Sequence, residues 1–388
     1  ITHRGTVCAP HREHVCLPLR ATLYTLSLVN TVFASICLTI LYETQAIWSP
    51  HLGPDAQTWI VALRAAAPRH ALRQIRIQPG PISTSPRWIF AHNPGSRFLL
   101  ELLSFAKPTV LELPLSAVTP PFFLQPNLRY IVTLQLFDTG ETSPALPSQE
   151  FLLPCLRHLH ISSGHAPRLR HGSYLRPTVI VHGLLESLLP SATRLEDLHL
   201  LIKDPVQSPQ TLVLTAIRLL AAVKESLRSL TIAFHPEYKS ADFTSSLRSL
   251  TVLESYSEIP CAHMLPGALF FDPLQSAPLA HLPDSVTTYT LHHDFQSRKL
   301  APAAGLCRKV LRDLAADTTL LPNLQVLAGV ALDTDNIPTP GRADVAALNS
   351  FDTTTLLPPL LAARPNLRTP PLAAHGVGRY PQLDGWSL

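Results

Sequence analysis

Charge is scarce in this chain. Lys, Arg, Asp and Glu make up 15% of its 388 residues, and the formal net charge is +4. The basic residues come in ones and twos, so there is no stripe that could track a nucleic-acid backbone, and nucleic acid is not an expected partner. Cysteine is sparse as well: the six, at positions 8, 16, 37, 155, 261 and 307, include no Cys-x-x-Cys and build no disulfide framework. No Asn-x-Ser/Thr acceptor occurs either. Both absences predict a reduced, intracellular protein, cytoplasmic or nuclear. The sequence also lacks a Walker loop, a Gly-x-Gly-x-x-Gly, a Gly-x-Ser-x-Gly elbow, a His-Glu-x-x-His and an EF-hand loop. No catalytic residue is therefore assigned, and neither an enzyme nor a cofactor is expected.

Two local clusters come nearest to a site. Cys8, His11, His14 and Cys16 carry thiol and imidazole ligands suited to zinc, but no second pair stands at a finger-like distance, so no metal is assigned. His292-His293-Asp294 follows an expected strand end and reads equally well as loop.

Proline and aliphatic residues are what the chain has in excess. There are 38 prolines, a hydrophobic content of 46% and a mean hydropathy of +0.17. Such a mixture fits a packed chain interrupted by loops. Its organising feature is an internal repeat: Ser226 to Thr231 recurs identically at Ser246 to Thr251, inside the frame Leu-x-x-Leu-x-aliphatic. The fourth and sixth positions of that frame alternate as in a half-buried strand. The same frame occurs at Leu72/Ile75/Ile77, Ile131/Leu134/Leu136, Leu156/Leu159/Ile161, Leu195/Leu198/Leu200, Val286/Tyr289/Leu291 and Leu324/Leu327, with a degenerate copy at Leu111 and Leu113.

Helix-like runs fill several of the gaps, at Asp55 to Ala67, Ser96 to Ala106, Val179 to Leu189, Leu212 to Lys224 and Gly305 to Ala315. Strand then helix, repeated about every 20 to 40 residues, predicts an α/β solenoid of irregular leucine-rich repeats, a horseshoe. Pro120 to Pro126, Asp138 to Ser148, Ile259 to Pro283 and Thr334 to Gly341 read as loops. A last degenerate copy, Arg364-Pro-Asn-Leu-Arg, is followed by Pro370-Pro371, and the tail reads as a frayed cap.

In this frame the second, third and fifth strand positions face the concave side. They are Arg73, Gln74 and Arg76; Arg157, His158 and His160; Glu196, Asp197 and His199; Arg228, Ser229 and Thr231; and Arg248, Ser249 and Thr251. This polar strip is either a surface for a partner protein or simply the polar face that water requires.

Ala21 to Tyr42 is free of charge and long enough to span a bilayer. Its periodicity instead predicts an amphipathic helix, with Leu26, Val29, Phe33, Ile36 and Ile40 on one face and Ser27, Thr31, Ser35 and Thr39 on another. Leu26-Ser-Leu-Val-Asn30, then Phe33, Ser35-Ile36 and Ile40-Leu-Tyr-Glu-Thr44, resemble the C-terminal half of a fungal F-box. With the repeats behind it, most of the chain resembles fungal F-box/leucine-rich-repeat proteins. The half corresponding to the family's opening helix is not matched, since Leu17-Pro18 leads almost directly into the second half, so the F-box is incomplete.

The resemblance implies a substrate-recruiting receptor of a cullin-RING (SCF-type) ubiquitin ligase. Leu26, Val29, Phe33, Ile36 and Ile40 would dock the adaptor subunit, and the strip would hold the target protein. Two other readings stay open, a repeat scaffold without ligase coupling and a membrane-anchored repeat receptor. The expected layout is a leader over residues 1–20, the F-box-like segment over 21–47, the repeats over 48–332 and a proline-rich cap or tail over 333–388.

Overall fold

The computed structural model describes, apart from isolated positions, residues 22–37, 44–48, 61, 64, 72–78, 94–137, 153–163, 184–188, 193–202, 209–234, 241–260, 279–291, 300–333 and 355–373. The two histidine clusters named above lie outside these residues, as do Ile40 and the loops at 138–148 and 334–341. The chain divides into two compact α/β units, residues 1–195 and 196–388.

The first unit holds parallel strands β1 (Thr44–Trp48), β2 (Gln74–Gln78), β3 (Val110–Pro114), β4 (Thr133–Phe137) and β5 (His158–Ser163), neighbours in sequence being neighbours in the sheet. Strand register brings the aliphatic frame into lines. Ile75, Leu111, Leu134 and Leu159 are paired one to the next, and Leu113, Leu136 and Ile161 form the line beside them, all buried.

Helix α1 (Pro94–Phe105) crosses from β2 to β3 with Leu99, Leu102 and Leu103 buried at helical spacing. The stretch read as a loop at Pro120 to Pro126 forms short helical turns, α2 (Pro120–Phe123) and a 3-10 turn at Pro126–Tyr130. Proline suits these places because its missing N–H is not needed in a first turn.

The second unit repeats the pattern. Strands β6 (Asp197–Ile202), β7 (Ser229–Phe234), β8 (Ser255–Pro260), β9 (Thr288–Leu291) and β10 (Val326–Ala328) are parallel and in chain order. Helices α3 (Pro209–Val223), α4 (Ala241–Arg248) and α5 (Leu300–Ala316) occupy crossovers, as parallel strands require. Ala216, Leu219, Leu220 and Val223 of α3, and Val310, Leu311 and Leu314 of α5, are the buried stripes. Each fully buried Leu or Ile contributes roughly 1.5 to 3 kcal/mol.

A second regularity fixes the register. In seven copies the carbonyl of the second frame residue accepts both the second and third N–H groups of the next copy. Arg73 O takes Thr109 and Val110, Thr109 O takes Val132 and Thr133, and Val132 O takes Arg157 and His158. In the second unit Glu196, Arg228, Glu254 and Thr287 accept in the same way. Successive strand starts are thereby pinned side by side, so all later pairs inherit one register.

One expected strand is absent. The second identical copy, Ser246 to Thr251, is not a strand: it ends helix α4 and runs through a turn, and β8 begins at Ser255. Its frame is Leu253/Tyr256/Glu258, in register with Leu227/Leu230/Ile232. Leu247 and Leu250 are buried all the same, one from the helix and one from the turn, whereas Val252 is exposed. An identical hexapeptide is thus used in two ways, because its leucine spacing satisfies a helix end as well as a strand.

The last copy is not frayed. After α6 (Leu357–Ala363), Leu367 is buried and Arg368 bridges Val326. Arg368 N donates to Gln325 O at 2.8 Å and its carbonyl accepts from Leu327 N at 2.9 Å. A short pair of parallel strands, β11 (Leu332–Asp333) and β12 (Leu372–Ala373), follows.

Arg364 anchors this copy. It is 9% exposed, and its guanidinium donates to the carbonyls of Leu314 (3.1 Å), Leu321 (2.8 Å), Asp317 (3.1 Å) and Leu320. These carbonyls lie at and just beyond the C-terminus of α5, where helix carbonyls lack intrahelical partners and a cation is favoured. Leu321 sits in the left-handed region (φ 47°), a strained conformation for leucine, and Arg364 bonds its oxygen. Among the described residues, no helix is long and apolar enough to cross a membrane.

Candidate functional site

The segment resembling an F-box is helical but divided. Thr22, Leu23, Thr25 and Leu26 are helical, a turn falls at Leu28 and Val29, and helix resumes at Thr31. Asn30 makes the break, its Oδ1 accepting Phe33 N at 2.9 Å and its carbonyl accepting Ala34 N at 2.9 Å. This is N-cap geometry, and it overrides the continuous helix expected from periodicity. Of the expected docking residues, Leu26, Val29, Phe33 and Ile36 are 39%, 63%, 45% and 53% exposed, and Leu28 and Val32 are also exposed. Cys37 is buried. The segment therefore presents a row of apolar side chains to solvent.

The polar strip divides between the two units. In the first, Arg76, Glu112, Gln135 and His160 form one register line, running from half-buried Arg76 to buried His160, while Arg73 and Arg157 are exposed at the strand starts. Arg76 Nε lies 3.4 Å from Glu112 Oε2. Burial pushes the Glu112 carboxyl above its ordinary value, and the Arg76 cation partly opposes that shift. His158 is half-buried in the neighbouring line, after Thr133.

In the second unit the corresponding lines are Asp197–Ser229–Ser255–Thr288 and His199–Thr231–Ser257–Thr290. Away from β6 this face is carpeted with small hydroxyl side chains. Asp197 Oδ1 lies 3.1 Å from His199 Nε2, and Thr231 Oγ1 is 3.4 Å from the same nitrogen. One ring nitrogen thus meets both groups. Glu196 is half-buried, and exposed Arg228 pairs with Glu254 of the next copy at 2.5 Å. Arg248, expected on the strip, is exposed at the end of α4, and Ser249 and Thr251 fall in the following turn. The copy that was to place them on a strand forms a helix end.

Sequence reasoning missed a buried polar group. Glu258 occupies the sixth frame position of β8, paired in register with Ile232 and Leu291, and is 2% exposed. Tyr289 Oη donates to its Oε2 at 2.8 Å, and the rings of Tyr289 and Tyr256 lie 5.6 Å apart. Burial, with Glu258 close by, drives the Tyr256 hydroxyl well above its usual range. Glu258 is invisible to a search for aliphatic positions because its line is otherwise aliphatic. Just beyond β10 stands Gly329 (φ +83°), where a Cβ would lie 1.9 Å from the Leu291 carbonyl oxygen.

No protein-family model matches the chain, and no curated protein matches it.

Proposed function

We propose that the repeats are irregular leucine-rich repeats and that the chain recruits a target protein to a cullin-RING ubiquitin ligase. In this reading Leu26, Val29, Phe33 and Ile36 dock the adaptor, and the outward positions of the strands hold the target. The chain itself makes and breaks no bond. The observation that carries the reading is the row of exposed apolar side chains on a capped helical segment. Large apolar groups grouped on one short stretch are costly to leave in water and characteristic of a surface that a partner covers. The parallel stack behind it supports the second half of the reading, since stacked repeats offer an extended polar face suited to protein binding.

A scaffold without ligase coupling is the second reading, favoured by the turn at Leu28 and Val29, which splits what would be one docking helix. Co-purification of the tagged full chain with the adaptor, beside a Val29→Asp/Phe33→Asp variant, separates the two. Retention by wild type and loss in the variant supports the receptor; no retention by either folded protein leaves the scaffold.

A further inference from the structure

The first unit carries three exposed cations gathered on two aromatic rings. Arg64 Cζ stands 5.0 Å from the centre of the Phe105 ring, and its Nη2 donates to Ser104 Oγ at 3.2 Å. Lys107 Nζ is 5.2 Å and Arg129 Cζ 4.9 Å from the centre of the Tyr130 ring, with Arg129 Nη2 donating to Tyr130 Oη at 2.8 Å. The two halves are tied together by buried Asn127, which donates from Nδ2 to Leu103 O at 2.8 Å and to Ser104 O at 3.3 Å. The turn bearing Arg129 and Tyr130 is thus fastened to the end of α1, beside Ser104, Phe105 and Lys107. Among the described residues, no carboxylate pairs with Arg64, Lys107 or Arg129. Glu101, on the same helix, contributes its backbone carbonyl, which accepts from Ser104 Oγ at 2.6 Å.

A purely structural role accounts for part of this arrangement. Cations near a helix C-terminus complement its dipole, and long side chains cover rings. One cation would suffice for that, and in a chain whose basic residues are otherwise dispersed, three together without counter-charges leave a net positive surface. The geometry points to a docking surface for an acidic segment of a partner protein, held by Lys107 and Arg129 at the Tyr130 ring with Arg64 at the Phe105 ring. Guanidinium groups pair carboxylates bidentately, and rings hold the cations in place before the partner arrives.

Single-stranded nucleic acid fits less well. Binding of that kind stacks bases on ring faces, and here each of the two rings already has a cation over it. The inference does not rest on adaptor docking and goes beyond it, since it concerns a surface of unit one away from the strand lines.

The test is fluorescence anisotropy of the full chain with a labelled peptide of alternating Glu and Ser, at low salt and near 0.15 M, where charges are screened beyond about 8 Å. The account expects saturable binding that weakens with salt. It also expects a loss of about tenfold or more in Lys107→Glu/Arg129→Glu. The charge-matched control Lys224→Glu/Arg312→Glu should stay within about twofold. Lys107→Gln/Arg129→Gln, which adds no repulsion to the fold, should lose binding in the same direction. Absence of saturable binding, or equal losses in the control, overturns the proposal. A labelled oligothymidylate that binds as tightly as the peptide and loses as much in the variants also overturns it, assigning the patch to nucleic acid instead.

Discussion

Replacing Arg364 by methionine keeps an unbranched apolar stem and removes the guanidinium with its donors. In the native protein the guanidinium serves the carbonyls of Leu314, Asp317, Leu320 and Leu321. A hydrogen bond from a charged donor contributes about 1.5 to 3 kcal/mol when buried, and a neutral one about 1. Asp317 is exposed, so water recovers its carbonyl at little cost; the remaining three, at about 1.5 kcal/mol each, the low end of the charged range, predict a loss of about 4 to 5 kcal/mol. Lysine restores the charge but not the fork, and should recover less than half.

The assay is urea unfolding of wild type, Arg364→Met, Arg364→Lys and the exposed control Arg312→Met, with amide exchange read at Leu324, Leu367 and Arg368. These amides bond within or beside the anchored copy, so their protection should fall in the methionine variant while β6 and β7 keep theirs. A methionine variant within about 1 kcal/mol of wild type would refute the anchoring role, since that is the cost of a single neutral bond.

Other predictions follow from the register. Leu230→Ala should cost about 2 to 5 kcal/mol by opening a core cavity, whereas Arg228→Ala should cost less than about 1 because its partner Glu254 is exposed and readily hydrated; equal losses in urea titrations would reject the assigned faces. Tyr289→Phe should cost about 1 to 3 kcal/mol by withdrawing a donor from buried Glu258, measurable as a lower thermal midpoint, and an unchanged midpoint would reject the bond. Glu112→Gln tests a linkage. The folded carboxyl lies above 4.5, so between that value and its raised folded value the native state holds a proton that the unfolded chain releases. Wild type should therefore lose stability relative to the glutamine variant as pH rises through that window, and a difference that stays flat with pH in urea melts at several pH values would contradict the assignment.

The strands were legible because their burial rule is simple. Leu134 and Leu159 in the first unit, and Leu198 and Leu230 in the second, each stand three residues after an apolar start and two before another inward position, and parallel pairing stacks each pair. β8 escaped the rule because Tyr256 and Glu258 fill its inward places, so the nearest aliphatic match, Leu247/Leu250/Val252, drew the register away. Periodicity likewise favoured one long helix over residues 26–40, but it carries no information on whether an asparagine will turn back to cap, as Asn30 does.

The candidate strip was legible at the level of which side chains face outward and illegible in its pairings. Arg76 with Glu112 and Arg228 with Glu254 meet only once neighbouring copies are aligned, across gaps of unequal length. Arg364 and Asn127 show the same limit: the Pro-Asn-Leu motif marks a strand approach, yet the carbonyls these residues serve lie far away in sequence.

Amide exchange of the full chain with and without the purified ligase adaptor tests the functional account most directly. The account predicts added protection over the described helical residues between 22 and 37, strongest from Thr31 to Cys37 where the capped helix carries Phe33 and Ile36, with the strand amides unchanged. Protection absent from that segment, or confined to the strand face, would contradict adaptor docking.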